Sequence, residues 1–183
     1  MIDTPPIQPL SGFRVVDLTR VLSGPFATQI LGDLGADVIK IETSDGDTVR
    51  TQGDKKDGFS WYFAGFNRNK RSVVLDLKSK EGKDALERLI ESADVLIENF
   101  RPGVLERLGF GPRRLSELRP GLITCSVTGF GASGPYAGRP AFDFIAQAMS
   151  GFMSTNGRET DPPLRTGLPI SDLVTGIYAA LGV

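Results

Sequence analysis

Two aspartates, Asp143 and Asp172, stand at the start of apolar helical patterns, in Arg139-Pro-Ala-Phe-Asp-Phe-Ile-Ala and Leu168-Pro-Ile-Ser-Asp-Leu-Val-Thr-Gly. A carboxylate in a first helical turn is favoured by the helix dipole, so a plain capping role accounts for either one. A second reading gives Asp172 chemistry: the dipole keeps a sheltered carboxylate ionised and therefore nucleophilic. The chain contains no histidine, which removes the commonest general base and the commonest metal ligand. Acid-base or nucleophilic work then falls to carboxylates, lysines or hydroxyls. Cys125 is the single cysteine and sits inside an apolar strand pattern, so it reads as a small buried hydrophobe. That usage argues against disulfides and thiolate metal clusters, implies no metal, and fits a reducing cytoplasm.

The elements that must position these groups begin with residues 12–42. Phe13, Val15, Val16 and Leu18 read as a strand, Ser23-Gly24-Pro25 as a cap with proline at the first helical position, Gly35 as the helix end, and residues 38–41 as a second strand. Backbone N–H groups left free at such a helix start favour a phosphate or carboxylate. The same unit recurs, with strands expected at 72–77, 94–98 and 122–127 and helices at 79–92, 104–108, 112–118 and from about 139. Alternating strands and helices imply an α/β fold with a Rossmann-like, largely parallel sheet and helices on both faces. Ligands of such sheets bind outside the carboxyl ends of the strands, which singles out the loops at 20–26, 42–50, 99–103 and 128–135. The polar stretch 43–68, with aromatics at Phe59, Trp61, Tyr62, Phe63 and Phe66, reads as one long loop, functional or mobile rather than idle. Residues 67–71 carry three cations, a solvated edge or a phosphate-binding run.

With 40% hydrophobic residues among 183, the chain can bury a substantial core. Its 21 basic and 22 acidic residues create no global field toward nucleic acid or an anionic membrane. No apolar run is long enough to span a bilayer, and the start Met-Ile-Asp-Thr-Pro-Pro lacks the features of a signal peptide. The final apolar helix carries no stop signal beyond Gly182-Val183, so the sequence reads as part of a longer protein.

Several blocks carry a resemblance: Asp-Leu-Thr-Arg-Val-Leu-Ser-Gly-Pro-Phe-Ala-Thr at 17–28, Leu-Gly-Asp-Leu-Gly-Ala-Asp-Val-Ile-Lys-Ile-Glu at 31–42, Asn-Arg-Asn-Lys-Arg-Ser at 67–72, Ala-Asp-Val-Leu-Ile-Glu-Asn-Phe-Arg-Pro-Gly at 93–103, Thr-Gly-Phe-Gly-Ala-Ser-Gly-Pro-Tyr at 128–136 and Phe-Asp-Phe-Ile-Ala-Gln-Ala-Met-Ser-Gly at 142–151. In order and spacing they resemble the class III CoA-transferase family, also called the carnitine-dehydratase and bile-acid-inducible family. The resemblance implies that residues 1–183 form the N-terminal Rossmann-like, CoA-binding domain of a longer chain. It also implies acyl-CoA and a free carboxylic acid as substrates, and an interlocked homodimer in the full-length protein.

By the family pattern Asp172 is the nucleophile, forming a mixed anhydride and then an aspartyl-CoA thioester. CoA contacts fall on Val21, Leu22, Ser23, Leu75, Asn99, Phe100, Val104 and Arg107. Arg107, Arg101, Lys70 and Arg71 are candidate partners for the CoA phosphates, with Arg107 favoured. Asp143 and Phe142 are candidate substrate-positioning residues. Some relatives carry an adenine-stacking arginine where Thr43 stands here. Racemases of 2-methylacyl-CoA place a histidine at the position of Phe142, and phenylalanine cannot exchange a proton, which ranks CoA transfer above racemisation. Formyl- and oxalate-specific relatives carry glutamine at the position of Leu22, which counts against that substrate pair. A non-catalytic CoA-binding module is the alternative of a different class.

Overall fold

The computed structural model describes residues 8–183; the expectation about a leader at the first residues lies outside them. Five parallel strands form the central sheet: β1 (Arg14–Asp17), β2 (Asp37–Glu42), β5 (Lys70–Val74), β6 (Val95–Glu98) and β7 (Ile123–Ser126). Their order is β5-β2-β1-β6-β7. The chain steps outward from β1 to β2 and β5, then returns to the other side of β1 for β6 and β7. The reversal between β1 and β6 is the switch point at which parallel sheets open a crevice.

Helices cover both faces, as alternating apolar runs require. On one face Val16, Ile39, Ile41 and Leu96 pack with Leu86 and Ile90 of α3 (Lys80–Glu91), with Leu105 of α4 (Val104–Arg107) and with Leu115 of α5 (Pro112–Leu118). On the other, Val15, Val38, Val95 and Ile97 meet Leu31 of α1 (Ser23–Asp33) and Ala180 of α7 (Ile170–Gly182). The short α6 (Asp143–Met149) packs beside α7. No helix among the described residues is long and apolar enough to cross a membrane.

Three expectations change. The stretch 43–68 is not one loop: it contains a 3-10 turn (Thr48–Thr51), a hairpin of β3 (Lys55–Lys56) and β4 (Phe59–Ser60), and helix α2 (Trp61–Asn67). The Ser60 hydroxyl caps α2 by accepting from the Phe63 N–H, and Tyr62 and Phe66 stack edge-on one helical turn apart. The strand expected at 72–77 runs from Lys70 to Val74, because its register against β2 ends where Glu42 meets Val74. Leu75 therefore lies just beyond the strand. Finally, α1 starts at Ser23 with Leu22 as its N-cap and no side-chain cap, so Ser23 does not cap it and Pro25 is the third helical residue. A proline there still costs no helical bond, since the first turn's N–H groups have no intrahelical acceptor.

α7 lies close against α1 because Gly176 has no side chain: a Cβ there would sit 2.8 Å from the Ser23 carbonyl oxygen and 3.0 Å from the Phe26 ring. Gly176→Val is expected to push the helices apart and cost about 1–3 kcal/mol in denaturant unfolding, the usual penalty of overpacking.

Candidate active site at the carboxyl ends of the strands

Asp17 ends β1 fully buried, and its carboxylate organises the loop that follows. It accepts from the Thr19 N–H at 2.8 Å, the Thr28 hydroxyl at 2.6 Å and the Lys70 ammonium at 3.1 Å. Burial opposes its charge, yet Lys70, Lys40 and the two threonine hydroxyls hold its pKa below the ordinary value.

A second buried pair sits one step further along the loop. The Lys40 ammonium lies 3.0 Å from the Asp47 carboxylate, each side chain 1% exposed, and also donates to the Thr19 carbonyl at 2.8 Å. Asp47 in turn accepts from the Val21 N–H at 3.2 Å. Val21 needs that restraint: its φ of 71° is left-handed, a conformation a β-branched residue avoids. Behind this pair, Glu42 receives both the Asp47 N–H at 2.8 Å and the Arg50 guanidinium at 2.6 and 2.7 Å. Burial works against the Glu42 charge, but Arg50, Ser72 and the Asp47 N–H pull its pKa down to about 2.

Across the switch point, the Asn99 side chain accepts from the Arg20 N–H at 2.9 Å and donates to the Arg20 carbonyl at 2.7 Å. The loops after β1 and β6 are thereby joined. They border two clefts. The first, about 340 Å³, is lined by Val21, Leu22, Ser23, Asn99, Phe142, Asp143 and Asp172. The second, about 240 Å³, is lined by Leu75, Phe100, Val104, Thr43 and Lys78. Arg20 borders both, with its guanidinium 5.4 Å over the Phe100 ring. Arg107 is exposed on α4 and borders neither cleft.

The cations at 67–71 are not free for a phosphate. Lys70 is buried, donating to Asp17, to the Pro25 carbonyl and to Asn67, and burial lowers its pKa to about 8 against the pull of Asp17. Arg71 grips Asp37 at the opposite, amino-terminal edge of the sheet, and Arg68 grips Asp33. Their spacing carried no information about the carboxylate partners Asp17, Asp37 and Asp33, which come from elsewhere in the chain.

Asp143 is 5% exposed, and its carboxylate accepts from the Ser171 N–H at 2.9 Å and the Gln147 amide at 2.7 Å. It caps α7, a different helix from its own. The preceding Pro169 offers α7 no side-chain cap, so the cap comes from across the α6 packing contact. Asp172 is consequently not an N-cap but the third residue of α7. Nor does the dipole dominate its charge: burial first, then the neighbouring Asp143 carboxylate, push its pKa up to about 6, with Arg165 opposing. At neutral pH it remains mostly ionised. The cleft wall opposite comes from the Gly-rich loop, where a Cβ on Gly129 would fall 2.3 Å from the Ala141 Cβ. Only glycine lets these two segments touch and frame the opening.

The model of CoA-transferase family III matches residues 10–183. The chain belongs to that family. It is 48% identical over 175 residues to the formyl-CoA:oxalate CoA-transferase of Streptomyces coelicolor, covering 95% of this chain and 42% of that protein. It is 45% identical over 175 residues to the human succinyl-CoA:glutarate CoA-transferase, covering 94% of this chain and 40% of the other. A solved CaiB/BaiF family protein from Brucella suis matches with a TM-score of 0.93 at 42% identity, over 97% of this chain and 48% of that one. The chain thus spans a little under half the length of these relatives. The expected family and the Rossmann-like α/β architecture both hold.

Lys40 and Asp47 are structural determinants of the site that residue types alone did not single out; a lysine in the middle of the apolar run Val-Ile-Lys-Ile was the available signal. Lys40→Met is expected to cost about 3–5 kcal/mol in denaturant unfolding, because it leaves Asp47 buried without its cation. For Asp172 the sign runs the other way. A carboxyl whose folded pKa is raised destabilises the fold once ionised, so Asp172→Asn raises the melting temperature above about pH 6. The gain fades as pH falls toward the unfolded value of 3.8, which parallel melts at pH 8 and pH 4 will measure.

Proposed function

We propose that the protein carrying this chain transfers CoA from an acyl-CoA thioester to a free carboxylic acid, with Asp172 as the covalent nucleophile. The observation that carries this reading is the placement of Asp172 in one cleft with Val21, Leu22, Ser23 and Asn99, in a member of a CoA-transferase family. Residues 1–183 act as the CoA-holding domain. The adenosine end lies along the second cleft near Leu75, Phe100 and Val104, with Arg107 at its outer side for a phosphate. The pantetheine arm passes Arg20, and the thioester enters the first cleft. Thr43 lines the second cleft, so adenine stacking there falls to other side chains.

The steps balance without a proton-transfer base. The Asp172 carboxylate attacks the thioester carbonyl, the C–S bond breaks, and an acyl-aspartyl anhydride and CoA thiolate form. The thiolate attacks the aspartyl carbonyl and releases the donor acid, leaving an aspartyl-CoA thioester. The acceptor carboxylate displaces the thiolate to give a second anhydride, and thiolate attack on the acceptor acyl carbon yields the new acyl-CoA and regenerates Asp172. A chain without histidine suits this sequence. Phe142 lines the cleft where a racemase would need a proton carrier, which supports transfer over racemisation.

Asp143 acts as a positioning residue: its hydrogen bond to Ser171 sets the α7 start that presents Asp172. The whole protein is proposed to form the interlocked homodimer of its family. Support comes from the bare apolar side chains of α7, Tyr178 at 71% and Leu181 at 76% exposure.

In the whole natural chain carrying this sequence, acyl-CoA plus hydroxylamine is expected to modify Asp172, detected by peptide mass spectrometry. Modification elsewhere overturns the assignment. Asp172→Asn is expected to lower the transfer rate by at least about a thousandfold. The wild-type rate should fall about tenfold per pH unit below about pH 6, as the nucleophile protonates.

A further inference from the structure

Gln147 is fully buried on α6, and both ends of its amide are engaged. Its oxygen accepts from the Thr166 N–H at 3.1 Å, while its nitrogen donates to the Asp143 carboxylate at 2.7 Å and to the Leu168 carbonyl at 3.4 Å. The Thr166 N–H can only donate, so the amide oxygen faces Thr166 and the nitrogen faces Asp143. A buried amide is tolerated only with such partners in place. An apolar side chain would fill the same space without directing anything.

What Gln147 directs is the approach to α7. Residues 157–168 form no helix or strand, and all of them are exposed except the half-buried Thr166, so apolar burial does not fix this strap. At its α7 end the strap is tied to α6 by two side chains one helical turn apart. Gln147 takes Thr166 and Leu168, and Asp143 takes the Ser171 N–H at 2.9 Å and the Arg165 guanidinium at 3.5 Å. The Thr166 hydroxyl and the Ile170 N–H both close onto the Leu168 carbonyl, at 2.7 and 2.8 Å, which makes the entry to the helix a tight unit. Asp172 follows directly. Gly176 rests on α1, so α1 seats the body of α7 while the strap seats its first turn. Gln147 itself borders neither cleft.

We propose that Gln147 is a positioning residue for Asp172: by holding Asp143 and Thr166 at once, it fixes the strap that presents the carboxylate to the cleft. This role rests on the transfer reading above, yet amide exchange tests it without turnover.

In the whole natural chain, Gln147→Met keeps the side-chain volume and removes the amide. The probes are succinyl-CoA and glutarate, the pair in the human relative's name. A misplacement of about 1 Å costs on the order of a hundredfold in rate, so kcat is expected to fall at least about tenfold, while KM for succinyl-CoA and calorimetric affinity for free CoA stay within about twofold. Hydrogen exchange read by mass spectrometry should quicken in the peptide spanning 166–173 and not in α1. Gln147→Glu, which turns the donor facing Asp143 into an acceptor, should lose at least as much. Adding Asp143→Asn to Gln147→Glu returns one amide and one carboxylate to the same gap, with acceptors still facing the Thr166 and Ser171 N–H groups. Rate and amide protection should then recover to within about threefold of wild type, a rescue that a mere space-filling role does not produce. Thermal melts check folding; if Gln147→Glu alone does not fold, a folded double variant is the rescue. Unchanged kcat in Gln147→Met, a matching loss of CoA affinity, or a double variant no better than Gln147→Glu overturns the positioning role. Hydroxylamine trapping in wild type separates the two readings. Label at Asp172 with no effect of Gln147→Met overturns the positioning role alone, and faster exchange at 166–173 with no label at Asp172 overturns the transfer mechanism alone.

Discussion

The buried contact between Lys40 and Asp47 is the constraint from which the site's geometry follows. An ion pair of this kind contributes little net stability, because desolvating two charges offsets most of their attraction. What it supplies is direction. Lys40 fixes the Thr19 carbonyl and Asp47 fixes the Val21 N–H, so the loop after β1 is gripped on both sides of Arg20. A left-handed valine costs about 1–3 kcal/mol and persists only where the surroundings over-determine it. The return is a loop whose next two residues, Leu22 and Ser23, line the cleft and open α1.

The same economy of placement governs Asp172. An N-cap aspartate would be solvated by its own helix and hold its proton weakly. Seated two residues inside the helix start and half-buried beside Asp143, Asp172 keeps a higher-energy charge. Asp143 is what makes that seat possible, since it replaces the missing cap of α7 while its own charge presses on Asp172. One carboxylate stabilises the helix and the other carries the raised pKa; types and positions along the chain look alike, and only their hydrogen bonds and surroundings separate them. The Gly176 contact with α1 completes the arrangement by bringing the Asp172 helix against the helix that follows the Val21 loop.

The parallel sheet was legible because each strand is an apolar run bounded by polar turns and separated by helix-length segments. Helix α5 was expected at 112–118 and occupies Pro112–Leu118, and α3 falls within a residue of its expected ends at Ser79 and Ser92. Helix α2 was missed because its aromatic residues are weak helix formers and a hairpin precedes it. The pair Ser60 and Phe63, with aromatics four apart, was the overlooked signal. Lys70 illustrates a different limit. Cations flank it in sequence, which suggests an exposed edge, while two of its three partners, Pro25 and Asp17, lie 45 and 53 residues away.

By itself the sequence determined the fold class, the family blocks and the short inventory of groups able to react, because periodicity, turn residues and the lack of histidine are local properties. Which of those groups meet is a long-range matter. The division of the candidate residues between two clefts, the burial of Lys70, the exchange of a cap between α6 and α7 and the rise of the Asp172 pKa all depend on the packing of distant segments. Desolvation and charge proximity exist only once the sheet has brought β1, β6 and α7 together, so these features were settled by tertiary structure alone.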